Sequence, residues 1–327
     1  MSGTWMVRLA GMMVILTGAA GCGGKPPEAV PRQEAERPSR IEVSGDSALD
    51  EVRRFVALGP RDSGTPGAER AANYLRDRFR EIGVDAEIQA FQDNSPKGPL
   101  VFRNVIGRIP GAGGRILILG SHYDTKAGIT EFEGANDSGS STGLLLELAR
   151  VLNHDAPHPM EIWLVHFDGE ECMEEYGLND GLHGSRHLAR TLAESGRLND
   201  VAAMILLDMI GDREFTVTIP RNSTPWLISM AFEAARAENV RRHFQLFPHP
   251  ILDDHVPFMQ RGVPAINLID FHFGSTPGRN DYWHTPADSM DKLSAESLGI
   301  AGRVARRMAV EVMHRGGAPE KQRSPGF

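Results

Sequence analysis

Apolar runs alternate with amphipathic ones over most of this chain. "TPGAERAANYLRDRFREIG" (65–83) opens on Thr-Pro and closes on Gly83. Its apolar residues recur at helical spacing, which predicts a helix with start and stop signals. "VDAEIQAFQ" (84–92) alternates like a strand. "VFRNVIGRIPGAGGRILILGSHYD" (101–124) reads as two strands. The "GAGG" between them predicts a hairpin turn rather than a phosphate loop, because no helix follows it. Next come a helix in "NDSGSSTGLLLELARVL", strand "EIWLVHF", helix "GSRHLARTLA", and strands "AAMILLDMIG" and "EFTVTI". Helix "TPWLISMAFEAARAEN", strand "PAINLIDF" and a last helix from about Ser294 to His314 complete the series. Near-continuous apolar strands between helices imply an α/β fold. Its centre would be a mixed, mostly parallel twisted sheet covered by helices on both faces.

The globular pattern runs from residue 47 to 315 without an internal repeat, a length that suits a single α/β domain. Residues 1–22 read differently. Arg8 precedes an uncharged stretch from Leu9 to Ala20, too short to span a bilayer, which fits a signal-peptide core. Small residues then lead to Cys22, as in a bacterial lipoprotein signal, although Ala19 stands where Leu is usual. Lipidation at Cys22 is the expectation, with an ordinary secretory signal as the bland alternative. Either way the chain leaves the cytoplasm, lipid-anchored in the cell envelope or periplasmic, and touches membrane only through that anchor. Residues 23–46, rich in Gly, Pro and charge, read as a tether, and 316–327 as a flexible tail. A net charge of −8 with no basic block argues against nucleic acid as the partner. Of the 2 cysteines, Cys22 is expected to be modified, which leaves Cys172 without a disulfide partner.

Chemistry-bearing residues gather where the strands end. "ILILG" leads to His122 and Asp124, "EIWLVHF" to Asp168, Glu170 and Glu171, and "AAMILL" to Asp208. Asp137 precedes a helix, Asp253, Asp254 and His255 precede "GVPAINLI", and Trp283 and His284 follow that strand. Each has a bland reading when taken alone: Asp137 as a helix cap, His122 as a core histidine, Asp208 as half of an ion pair, Asp254 as the cap of a short helix, Trp283 as packing. Together they fall where α/β sheets place ligands, beyond the carboxyl ends of strands. The adjacent acids Glu170 and Glu171 repel each other, and a divalent cation resolves that repulsion. Zinc accepts one imidazole nitrogen and carboxylate oxygens and leaves a position open for catalysis, and Asp137, Glu171 and His284 make such a set. Neighbours on an extended strand face opposite ways, so Gly169 is expected to break the strand and bring both glutamates to one site. One would then bind metal and the other move protons.

"SHYDTK", "GANDSGSSTGLLLELARVL", "FDGEE", "LLDMIG", "DDHVPFMQRGVPAINLI" and "YWHTPAD" resemble, in order, the glutaminyl cyclase branch of the zinc aminopeptidase superfamily. The long spacing from the glutamate pair to "GSRHLA", the acidic "DDHVPF" and the Trp before His284 resemble the cyclases in particular. The resemblance implies a zinc aminopeptidase-like fold, with Asp137, Glu171 and His284 as ligands of one Zn2+ and Glu170 as the proton shuttle. Asp208 and Asp254 would belong to the network around that shuttle. Trp283, Tyr176 and Phe271 would line the substrate pocket. In two-metal aminopeptidases His122 and Asp208 hold a second zinc bridged by Asp137, and both residues are present here. There are departures: Tyr176 replaces a Trp of the animal cyclases, Asn267 replaces a His, and their disulfide is absent.

The reading that follows is cyclisation of N-terminal Gln to pyroglutamate with release of ammonia, on peptide or protein N-termini. The substrate's own amine is the nucleophile, so one metal suffices. The competing enzyme reading is a two-zinc aminopeptidase with Glu170 as general base. A third is a non-catalytic envelope binding module, against which the complete set of ligands and the shuttle glutamate speak.

Overall fold

The computed structural model of the protein describes residues 41–316. The lipoprotein-type signal with Cys22, the tether up to residue 40 and the tail from residue 317 lie outside the described residues. The packed chain begins earlier than the expected residue 47. Val43 is buried, and helix α1 (Gly45–Val56) starts with Ser44 as its cap, the Ser44 hydroxyl accepting from the Ser47 amide. Its buried residues Ala48, Leu49, Val52 and Phe55 follow helical spacing.

Helix α2 (Pro66–Glu81) has Thr65 as its cap and Pro at its start, as the sequence pattern predicts. It leads into β1 (Asp85–Ser95) and β2 (Gly98–Ile109), which pair antiparallel in a hairpin. β3 (Ile116–His122), α3 (Ser141–His154), β4 (Glu161–Phe167), α4 (His183–Glu194) and β5 (Val201–Asp208) follow. Next are the short β6 (Val217–Pro220), α5 (Pro225–Ala237), β7 (Phe244–Phe247), α6 (His255–Met259), β8 (Ala265–Ile269) and α7 (Ala295–His314). The main sheet has the order β1-β2-β4-β3-β5-β8, and β6 and β7 form a small parallel pair beside it.

The expected hairpin across "GAGG" is not formed. β4 lies between β2 and β3, antiparallel to the first and parallel to the second. The Gly-rich turn instead packs on the chain entering β4, where a Cβ at Gly111 would fall 2.0 Å from the Met160 carbonyl carbon. Local alternation marks strands but carries no information about which strands are neighbours.

Alternation within the buried strands explains why both faces are covered. Leu117, Leu119, Ile162, Leu164, Ala203, Ile205, Ile266 and Leu268 pack with residues of α1, α2, α3, α5 and α7. The intervening Ile116, Ile118, Trp163, Val165, Met204, Leu206 and Ala265 pack with Leu188, Ala189 and Leu192 of α4 and Phe258 of α6. β3, β4, β5 and β8 run parallel, so their carboxyl ends open on one edge of the sheet. That edge holds the site. Among the described residues no helix is long and apolar enough to cross a membrane.

Candidate functional site

Each parallel strand delivers one part of the site as it ends. β3 terminates in His122 and β5 in Asp208. β4 runs through Asp168 to Gly169, whose φ of +71° turns the chain out of the strand. The turn is held by Asp124, whose carboxylate accepts the amides of Glu170 (3.2 Å) and Glu171 (3.1 Å). This is the expected break at Gly169. Only glycine fits it, since a Cβ there would sit 2.7 Å from the Phe102 ring in a backbone conformation that L side chains avoid. Gly169→Ala is expected to destabilise the fold by about 2–5 kcal/mol, from left-handed strain and overpacking together. A thermal melt measures this; an unchanged midpoint would show that the turn tolerates a side chain.

Asp137 sits in the kinked turn before α3, with non-helical φ −104° and ψ 90°. Asp288 accepts the amides of Asn136 (2.7 Å) and Asp137 (3.0 Å), fixing that turn from the far side. The fully buried Arg61 donates to the carbonyls of Glu133 (3.2 Å) and Gly134 (3.1 Å) just ahead of it. Burial holds the Arg61 guanidinium down to about 10 even with Asp288, Asp124 and Asp137 nearby. His284 has a left-handed φ of +55°, and the Trp283 ring stacks on its imidazole at 3.9 Å.

These elements converge. His284 Nε2 is 2.9 Å from Glu171 Oε1 and 3.3 Å from Asp137 Oδ2. His122 Nε2 is 3.0 Å from Asp137 Oδ1 and 3.3 Å from Asp208 Oδ1. Potential ligand atoms of Asp137, Glu171 and His284 lie within 4.8 Å of one another, and so do those of His122, Asp137 and Asp208. Both His122 nitrogens, Glu171 Oε2 and Asp208 Oδ1 are buried without a hydrogen-bond partner among the described residues. Close approach without hydrogen-bond geometry is what a shared cation, rather than mutual bonding, would satisfy. Asp137, Glu170, Glu171, Asp208 and Asp253 gather five carboxylates around the imidazoles of His122 and His284, with the Lys126 ammonium 3.8 Å from Glu171 Oε2. Burial pushes Glu171 up to about 7, with Asp137 adding to the rise and His284 opposing it. Burial alone would lower His284, but Asp137 and Glu171 outweigh it and hold the imidazole up to about 9. Oxygen and imidazole donors in this number suit a zinc-type ion.

The site opens into a cavity of about 270 Å³ lined by Glu170, Tyr176, Asp253, Phe271 and Trp283 together with the metal set. Met209, Phe247, Ile251, Leu252 and Ile269 add apolar surface to its lining. Phe271 meets Trp283 edge-on at 5.3 Å. Tyr176, Phe271 and Trp283 therefore line the cavity. Asp254, expected in the network around Glu170, is fully buried, its charge acts on Glu170, and its oxygens have no hydrogen-bond partner among the described residues; its neighbour Asp253 lines the cavity. The pair sits where the chain turns into α6, so adjacent side chains diverge and sequence adjacency could not choose between them. Asn267, the departure in β8, donates to Asp253 Oδ2 at 2.6 Å. Glu170 is pushed well above the ordinary carboxylate range by burial, then by Asp253, with His122 opposing and Glu171 adding.

The bracing roles of Asp124, Asp288 and Arg61 are not visible in the sequence. The first two lie inside recognisable motifs, "SHYDTK" and "YWHTPAD". Arg61 sits in a plain loop with no signal of its own.

A profile described as peptidase family M28 matches residues 104–309. The glutaminyl-peptide cyclotransferase of Drosophila melanogaster is 30% identical over 310 residues, covering 86% of this chain and 85% of that protein. The crystal structure of an Acidobacteriales bacterium glutaminyl cyclase is 36% identical with a TM-score of 0.80, covering 88% of this chain and all of that one. A Zn-dependent exopeptidase from Parabacteroides distasonis is 26% identical with a TM-score of 0.74, covering 83% of this chain and 99% of that one.

Proposed function

The chain belongs to peptidase family M28, and we propose that it is a glutaminyl-peptide cyclotransferase, converting N-terminal Gln of peptides to pyroglutamate with release of ammonia. The observation that carries the reading is the division of labour at the end of β4. Glu171 joins Asp137 and His284 in a ligand set, while Glu170, one residue earlier, stays outside that set and faces the same cavity. Asp137, Glu171 and His284 would hold one zinc ion. Bound there, zinc supplies Lewis-acid polarisation of the substrate's γ-amide carbonyl.

The protein's own residues do the rest. The cavity admits a glutamine side chain and holds the α-amine near its own γ-amide carbon, so that ring closure is intramolecular. Glu170 takes a proton from the amine as the new C–N bond forms and delivers it to the departing nitrogen as the old one breaks. Burial and then the neighbouring Asp253 raise this carboxyl well above the ordinary carboxylate range, so its protonated form, needed to return the proton, is more accessible than for an exposed glutamate. Asp208 and Asp253 line the same cavity beside Glu170. Trp283, Phe271 and Ile269 give the cavity its apolar wall beside these carboxylates.

A second reading rests on a specific observation. His122, Asp137 and Asp208 also converge as ligands, which would suit a two-metal aminopeptidase. Incubation with a Gln-initiated peptide and mass analysis separates the two. The expected result is loss of ammonia with the chain otherwise intact; release of free glutamine would assign the peptidase. We also propose export, with a lipid anchor at Cys22 as the sequence suggests, which would bring the site to peptide and protein N-termini outside the cytoplasm. Labelling with a radioactive fatty acid, lost on Cys22→Ser, tests it.

A further inference from the structure

The Glu170 carboxylate has one hydrogen-bond donor among the described residues, the hydroxyl of Tyr176, at 3.1 Å from Oε1 and 3.3 Å from Oε2. That contact is the product of a purpose-shaped loop. The Asp180 carboxylate accepts the successive amides of Met173 (2.6 Å), Glu174 (2.8 Å) and Glu175 (3.0 Å). The Gly177 amide donates to the Asp180 carbonyl, and the Leu182 amide returns to the Glu170 carbonyl, each at 3.0 Å. Gly181, at φ +75°, leaves the seat on which the phenol ring lies; a Cβ there would be 2.4 Å from Tyr176 Cδ1. The loop is thus braced at both ends while its tip is in solvent, with Leu178 91% exposed. A ring needed only as an apolar wall would gain nothing from carrying a hydroxyl into the cavity, where a polar group without a partner is costly.

We propose that Tyr176 is a positioning residue: its hydroxyl spans both oxygens of Glu170 and aims that carboxylate at the reacting nitrogen, so that the 173–181 loop sets the turnover rate. The inference rests on the proposed role of Glu170 in moving protons. A free Glu carboxyl would rotate about its terminal torsion; a donor shared between its oxygens restricts that rotation without contributing to substrate binding.

The test is kinetic. Tyr176→Phe keeps the ring and loses the donor. It is expected to lower kcat by about tenfold with KM held within about twofold, the signature of an interaction that matters only in the transition state. Combined with Glu170→Gln, it is expected to cause no further loss, because the hydroxyl acts through the carboxylate. Gly181→Ala, which displaces the ring while keeping the hydroxyl, is expected to follow Tyr176→Phe in kcat. A wild-type kcat in Tyr176→Phe, a change confined to KM, or additive losses in the double variant would overturn the proposal. The ratios are measured on whichever N-terminal reaction the wild-type protein performs, so peptidase in place of cyclase activity refutes the functional reading without touching this comparison.

Discussion

Glu170→Gln is expected to keep its zinc and its fold and to lose about 10²–10⁴-fold in kcat, the usual range for removing a general acid–base group. The substitution is nearly isosteric and still accepts the Tyr176 hydroxyl, but an amide cannot ferry a proton between two nitrogens. The neighbour should behave oppositely. Glu171→Gln removes an anionic donor from the ligand set and is expected to lose metal and activity together. Measuring metal content beside kcat for both variants separates the roles. If Glu170→Gln kept more than about a tenth of wild-type turnover, the carboxylate would not be the shuttle, given that such groups contribute at least about a hundredfold.

Asp137→Asn is expected to be as damaging, for a different reason. Asp137 supplies ligand atoms to both convergent sets, one oxygen 3.3 Å from His284 Nε2 and the other 3.0 Å from His122 Nε2. Its loss should leave the purified protein without zinc however many ions the native site holds, and turnover should fall to background. Zinc loss should also lower the melting temperature, because an ion held at about 100 times its Kd stabilises the folded state by about 2.7 kcal/mol. His122→Ala then distinguishes the two stoichiometries. With one ion held by Asp137, Glu171 and His284, metal content is expected to be unchanged; a fall by half would favour the two-metal peptidase. Retention of full zinc in Asp137→Asn would dismantle the proposed ligand set.

The candidate ligand set is legible in the sequence because chemistry constrains its residue types and positions. Carboxylates and an imidazole seldom cluster at the ends of apolar strands unless they share a ligand, and the structure brings Asp137, Glu171 and His284 within ligand reach. The role of Gly169 is legible too, since adjacent glutamates can share a site only where the strand breaks. The groups that hold these residues in place are harder to read. Asp124 and Asp288 act through backbone amides far away in sequence, and Arg61 through the carbonyls of Glu133 and Gly134. A backbone amide carries no residue identity, so the sequence offers no pattern from which to infer such a partner.

Two features that the sequence pattern does not settle, the strand order around "GAGG" and which of Asp253 and Asp254 meets the cavity, have the same physical origin. "GAGG" reads as a hairpin because strand period and turn residues are local signals, whereas β4 enters between β2 and β3 through contacts from beyond residue 160. Asp253 rather than Asp254 reaches the cavity because the direction in which adjacent side chains diverge depends on how α6 is seated against the sheet.

Sequence alone determined the layered α/β architecture, the two apolar faces of the sheet and the ligand chemistry, since alternation and residue type are properties of the chain itself. Tertiary structure decided the strand order, the choice of Asp253, and the placing of Tyr176 on Glu170. Each of those depends on distances between segments remote in the chain, which only packing sets.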